Sequence, residues 1–266
     1  MEDTQYRIAD IDILGYGAAC SQILAPWKAF AYRHDSPNAI GVHLLPLEQE
    51  QYGIKAVRFP ADDISIIYND DAAAVTDASH KNIYFLPSVS VQGAEALLDR
   101  FFYTHAVRRQ MLQLHCATIE DQGRGILFLG PSGIGKTTQA ERWAQYRGSS
   151  IINGDIGFVQ RTPQGYTAWG TPWHGSSPYC LNTSVPVKAL VVLKQAPENR
   201  LRELTGFEKV REVSGSVFYP TWLENGMELC TDTLNHLLTD LPVYRLDNRA
   251  DEAAVNLLAA ELDRIT

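Results

Sequence analysis

The sequence predicts an α/β fold, and three observations carry that prediction. Short runs of β-branched and aromatic residues alternate with stretches of helical periodicity. A glycine loop, "GPSGIGKT" from Gly130 to Thr137, stands between an apolar strand-like run and a helix-like one. The last third carries apolar residues at helical spacing, with Ala254, Val255, Leu258 and Leu262 as one stripe.

In chain order, residues 6 to about 88 are strand-rich. "YRIADIDILGYG", "AFAYRH", "IGVHLLPLE", "AVRFPADDISIIY" and "NIYFLP" read as strands separated by Pro, Asn and Asp clusters. Leu97, Leu98, Phe101, Phe102, Ala106, Val107 and Met111 then recur at helical spacing, which predicts a helix over about 93–112. "LHCATIE" and "GILFLG" read as strands around the turn "DQGRG", and "KTTQAERWAQYR" as a helix. "SIINGDIGFVQ", "GYTAWG" and "VKALVVLKQ" read as further strands. "TWLENGMELCTDTLNHLL" and "RADEAAVNLLAAELDRI" read as helices flanking a strand at "PVYRL". The expected division is a strand-rich part over 1–92 and a P-loop domain over 93–266.

Composition narrows the class. Of 266 residues, 45% are hydrophobic and 20% charged, as expected for a folded protein that is not a membrane span. The net charge of -8 gives no basic footprint for nucleic acid or an anionic membrane. No window approaches a run of about 18 apolar residues. The acidic opening "MEDTQYRIAD" has no apolar core of a secretory signal, so the expected location is the cytoplasm. Cys20, Cys116, Cys180 and Cys230 lie far apart without a CxxC pair and read as reduced thiols.

The loop explains its own residue types. Gly130, Gly133 and Gly135 let the backbone curl and turn its N–H groups, with those of Ser132, Ile134 and Thr138, toward a phosphate. The new helix adds its partial positive N-terminus. Lys136 reaches β- and γ-phosphates, and the Thr137 hydroxyl suits Mg²⁺. The expected cofactors are therefore ATP or GTP, with Mg²⁺. Downstream, Asp155 ends a strand-like run and is the expected second metal ligand, although Asn153-Gly154 before it is also an ordinary hairpin signal. His115 opens the strand before the loop. "GTPWHG" gathers Trp173 and His174 into one turn, which reads as pure structure or as an acceptor-side loop. Arg200, Arg202, Arg211 and Arg245 read as surface charges.

Taken together, "LHCATIE", "GILFLGPSGIGKTT" and "IINGDIGFV" resemble the catalytic domain of HPr kinase/phosphorylase, a family with the P-loop fold of phosphoenolpyruvate carboxykinase. The resemblance covers about 112–195. "GTPWHG" followed by "VPVKALVVLKQAPEN" is similar to HPr-kinase-like proteins of peptide-modifying gene clusters, among them lasso-peptide tailoring kinases that phosphorylate a precursor-peptide serine. The resemblance implies a mixed-sheet P-loop core and a phosphotransferase. It puts Gly130 to Thr138 in the phosphate loop, Thr137 at the metal-binding hydroxyl, His115 at the family histidine and Asp155 at the second of two paired aspartates. Gly154 stands where the first would be.

The expected activity is transfer of the γ-phosphoryl group to a Ser or Thr of a peptide or small protein. Asp155, Lys136, His115 and His174 would be catalytic, Thr137 and Asp155 would hold the metal, and Trp173 and His174 would face the substrate. A small-molecule acceptor and a catalytically inactive nucleotide-binding module are the alternatives. The kinases it resembles are often oligomers, so a homo-oligomer is also an expectation.

Overall fold

The structure, a computed structural model, describes all residues except 1–2, 18–19, 34–35, 48, 52–53, 61–62, 88 and 266, and describes 49–51 and 54–56 by backbone alone. It is a mixed α/β protein with two mixed sheets, and its contacts divide it into a unit over Met1–His105 and a unit over Ala106–Thr266.

In the first unit, β1 (Thr4–Ile8) and β2 (Ile11–Tyr16) form a hairpin. A short helix α1 (Cys20–Ile23) follows. β3 (Ile40–Leu44), a small hairpin of β4 (Gln49–Gln51) and β5 (Ile54–Ala56), β6 (Ile64–Tyr68), β7 (Ala73–Asp77), β8 (Asn82–Phe85) and helix α2 (Val91–Ala106) complete it. The sheet order is β1-β2-β3-β8-β7-β6, with β3 parallel to both neighbours.

The expected strand "AFAYRH" is different: Ala25–Phe30 is a 3₁₀ turn. Pro26 fixes φ at its start, and Trp27 and Phe30, three apart, bury on one side. His34, Glu48, Ala61 and Asp62, at the ends or inside expected strands, lie outside the described residues. The expected helix to residue 112 ends earlier. A 3₁₀ turn covers Val107–Arg109, Gln110 adopts a left-handed φ of 56°, and Met111 already begins a strand. Helix α2 thus falls almost wholly in the first unit.

The second unit opens with β9 (Met111–Asp121) and β10 (Arg124–Leu129). The turn between them, Gln122-Gly123, has both φ positive (53° and 78°), which matches the twist of a two-residue hairpin. Helix α3 (Lys136–Arg147) follows the glycine loop and ends at Gly148, left-handed at φ 70°. β11 (Ser150–Asn153), β12 (Ile156–Thr162), β13 (Gly165–Trp169), β14 (Ser184–Gln195), β15 (Arg200–Leu204), α4 (Phe207–Val213), α5 (Gly226–Asp240), β16 (Val243–Asn248) and α6 (Glu252–Arg264) follow. The pairings β10–β9–β12–β13–β14 return to β10, so this part of the sheet closes on itself. β14 runs parallel to both β10 and β16.

Helices α3 and α6 cover one face of this sheet. Ala140 and Trp143 of α3 and Val255, Leu258, Ala259 and Leu262 of α6 bury with Ala117, Ile119, Phe128, Val191 and Leu246. The side chain of Asp251 caps α6 by accepting the Ala254 N–H at 3.0 Å. At the far end of β9, buried Asp121 accepts from Arg124, Arg147 and Ser149, which ties the hairpin to the end of α3. Arg200, Arg202, Arg211 and Arg245 each pair with a nearby acid, as surface charges do. The four cysteines are free thiols.

Candidate phosphate-loop site

The sheet register assembles the site. β10 ends at Leu129, opposite Cys116 of β9. On the other edge of β9, the Cys116 N–H donates to the Asp155 carbonyl at 2.9 Å. One strand therefore separates the origin of the glycine loop from Asp155. The loop leaves at the carboxyl end of a parallel strand, where open α/β sheets bind ligands.

Within the loop, Gly130, Gly133 and Gly135 hold φ of 137°, 76° and 106°, which a side chain would resist. At Gly130 a Cβ would also press Ile134 Cγ2 at 3.2 Å. The first helical N–H bond of α3 is from Gln139 to Gly135 O, at 2.8 Å. Among the described residues, the N–H groups of Lys136, Thr137 and Thr138 have no carbonyl partner, so they are donors at a helix N-terminus. Lys136 is buried and its Nζ donates to Gly130 O (3.1 Å) and Pro131 O (3.3 Å). Burial holds its ammonium below the usual lysine range, with Asp155 opposing that shift. This donor set fits a polyphosphate.

Thr137 links the loop to the acid. Its hydroxyl donates to Gly154 O at 2.9 Å, next to Asp155. The Thr137 hydroxyl keeps a lone pair, and the carboxylate of Asp155 belongs to the next residue after Gly154; both are hard oxygens of the kind Mg²⁺ takes beside phosphate oxygens. No cluster of three or more His, Cys, Asp or Glu suited to a metal occurs among the described residues. His115 Nε2 lies 3.1 Å from Asp155 Oδ1. A carboxylate accepts, so Nε2 carries the hydrogen and Nδ1 is the free nitrogen. Burial, and then Lys136, push the imidazole below its usual pKa despite Asp155. His115 thus donates to the acid and orients it.

Asn153-Gly154 is not a hairpin. β11 and β12 both run antiparallel to β9, so the chain keeps its direction through Asp155, with a register shift between Ile151 and Asn153. Asn153, fully buried, holds this kink. Its Oδ1 accepts the N–H groups of Asp155 and Ile156, both at 3.0 Å, and its Nδ2 donates to Trp173 O (2.7 Å) and Thr171 O (3.3 Å).

The "GTPWHG" turn therefore packs against the acid, though not as expected. Trp173 is buried at 3% exposure with its ring 6.0 Å from that of Phe158, so it anchors the turn in the core and is not presented to a substrate. His174 Nδ1 donates to Ser177 O and staples the turn on itself; its bonding is local and does not reach Asp155. Gly175, left-handed at φ 56°, is the residue that meets the acid, since a Cβ there would lie 2.0 Å from Asp155 Oδ2. Ser177 explains Gly154. A Cβ on Gly154 would lie 1.8 Å from Ser177 Oγ, so the space a side chain at 154 would need is filled by a serine hydroxyl from this turn.

Asn153, Gly175, Ser177 and Phe218 were not singled out by sequence reasoning. Phe218 donates its N–H to Gln113 O at 3.0 Å, and Val217 bridges to Leu114. This segment takes the β9 edge beyond the point where β10 ends, and it sets the Phe218 ring 6.4 Å from that of His115. Only Asn153 had a signal, since Asn accepts from the backbone in kinks as well as hairpins.

A family model described as SynChlorMet cassette protein ScmC matches residues 88–237, more than half of the chain. No curated protein matches it. Among solved structures, the chain is similar to the Hpr(Ser) kinase/phosphatase from Coxiella burnetii at 12% identity, over 57% of this chain and 88% of that one, with a TM-score of 0.33. No helix among the described residues is long and apolar enough to cross a membrane.

Proposed function

The chain belongs to the family of SynChlorMet cassette protein ScmC, and we propose that it is an ATP- and Mg²⁺-dependent kinase that transfers a γ-phosphoryl group to a Ser or Thr hydroxyl of a peptide or small protein. The observation that carries this reading is the hydrogen bond from Thr137 to Gly154 O, which brings the glycine loop and the His115–Asp155 pair into one site. The likeness of the 112–195 motifs to HPr kinase/phosphorylase, and of the "GTPWHG" region to kinases of peptide-modifying clusters, supports it from sequence. On this reading the fold is the P-loop core of that family, the acceptor is a peptide such as a modified-peptide precursor, and the enzyme works in the cytoplasm.

Phosphoryl transfer goes through a loose transition state, so positioning and charge neutralisation carry most of the rate. The loop N–H groups and Lys136 supply donors along the β- and γ-phosphate oxygens. Thr137 and Asp155 would hold Mg²⁺, which when bound neutralises charge developing between those oxygens. The His115 N–H fixes Asp155 Oδ1 and leaves the carboxylate to take the acceptor proton late, so a single acid suffices where the resembled family has two.

The test is mass spectrometry of Ser/Thr peptides incubated with the protein, ATP and Mg²⁺, beside Asp155→Asn and Lys136→Ala. Phosphopeptide that disappears in both variants is expected. ATP turnover without phosphopeptide would move the acceptor to a small molecule. Intact nucleotide binding with no turnover would overturn the kinase reading in favour of a nucleotide-binding module.

A further inference from the structure

We infer that Phe218 is a specificity-determining residue of this site, and that the acceptor carries an apolar group next to its reactive hydroxyl. This rests on the kinase reading above and names a feature of its substrate.

An acceptor reaches Asp155 only by the sides its neighbours leave open. The outer side is closed. Segment 170–183 lies along β11, with Leu181 N–H on Ile152 O at 2.9 Å, Gly154 N–H on Tyr179 O at 3.3 Å and an Asn153–Cys180 bridge. Its tip presses Gly175 on the carboxylate and Ser177 on Gly154, with no room for even a methyl group at either glycine. Trp173 and Asn153 fix that tip from below. A second side belongs to the glycine loop and so to the phosphates. Across His115, the Phe218 ring stands at 6.4 Å from the imidazole.

Phe218 is 41% exposed, although its main chain is fixed to β9, Val217 before it is buried and Tyr219 after it is partly buried. A large apolar ring held at a fixed place beside a half-exposed acid–imidazole pair (32% and 27%) gives the site one polar wall and one apolar wall. An acceptor whose hydroxyl meets Asp155 sets its next group against that ring. Burial of an apolar group there is favourable, and a charged group would lose hydration without gaining a partner. The substrate class is therefore a Ser or Thr flanked by a large apolar residue.

The experiment compares kcat/KM for two peptides that differ only next to the acceptor Ser, Leu in one and Gly in the other. Wild type, Phe218→Ala and Phe218→Leu are measured with ATP and Mg²⁺, and nucleotide binding checks that each variant is folded. The expected Leu-over-Gly preference is about 10-fold in wild type, from the discrimination an apolar pocket gives. It should be largely kept in Phe218→Leu and fall to about 2-fold or less in Phe218→Ala. Equal use of both peptides by wild type, or an unchanged preference in Phe218→Ala, overturns the inference and leaves the kinase reading standing. No transfer to any peptide by wild type removes the kinase reading and this inference with it.

Discussion

Gly154 and Ser177 give a steric test with a number attached. In Gly154→Ala the new Cβ would sit 1.8 Å from Ser177 Oγ and 2.7 Å from its Cβ, far inside van der Waals contact. Ser177 is buried at 8% exposure and is held on both sides. Its Oγ accepts the Tyr179 N–H (3.2 Å), and its own N–H donates to His174 O (3.0 Å). It cannot swing away without losing a bond of about 1 kcal/mol. Overpacking adds roughly 2 kcal/mol, so Gly154→Ala is expected to cost about 3 kcal/mol. Ser177→Gly loses the Tyr179 bond and should cost about 1 kcal/mol. The double variant relieves the clash and should cost about 1 kcal/mol in place of the additive 4. Urea unfolding followed by tryptophan fluorescence reads this, because Trp143, Trp169, Trp173 and Trp222 all lie in the second unit. Additivity within about 0.5 kcal/mol would refute the contact. The same geometry predicts that Gly154→Asp, which supplies the first acid of the resembled family's pair, abolishes transfer by displacing the turn from Asp155, and that adding Ser177→Gly returns part of it.

Three further outcomes follow from the same site and its supports. Asn153→Ala removes one bond each to Asp155, Ile156, Thr171 and Trp173, about 4 kcal/mol at roughly 1 kcal/mol apiece, and Asn153→Asp, which keeps the acceptor half but sets a buried carboxylate oxygen against the Thr171 and Trp173 carbonyls, should cost at least as much at pH 7 in the same unfolding assay. His115 has a folded pKa below its unfolded value near 6.5, so the unfolded chain takes up the proton first and stability declines as pH falls from about 6.5 through the folded pKa; His115→Gln should flatten that part of a stability–pH curve. Asp121 is the reverse case: although burial opposes it, its bonds to Arg147, Ser149 and Arg124 hold its carboxyl below the usual range. Its contribution is present above about pH 4 and is lost as pH falls through the lower folded value, and Asp121→Ala, which takes the carboxylate partner from Arg147 while Arg124 keeps Asp263, should cost about 3 kcal/mol in urea unfolding at pH 7.

The local parts of this protein are written in the sequence because their physics is local. Gly130, Gly133 and Gly135 announce a backbone that must turn left-handed, and the apolar run before them and the helix formers after them give strand, loop and helix as the structure has them. Lys136, Thr137 and Asp155 are legible from residue type and spacing, His115 only through the family resemblance, and the structure draws the four together. The helix near residue 100 is legible from its apolar period, but its end is not, since Met111 satisfies a buried position in either a helix or a strand. Asn153-Gly154 shows the same limit. The dipeptide suits a hairpin, and only the continued pairing of β11 and β12 along β9 turns it into a kink that aims Asp155 at the loop.

What tertiary structure alone decided is which side chains share the acid's surroundings. Trp173 sits where sequence would place it, in a turn beside the site, yet it faces the core because Phe158 of the neighbouring strand is there to pack on it. Gly175 and Ser177 fill the space around Asp155, and Phe218 arrives from about 60 residues downstream along an edge that β10 has given up. Composition and period indicate what most segments become, though not where each one ends. Contacts between distant segments depend on register and on which edge is open, and those belong to the assembled sheet.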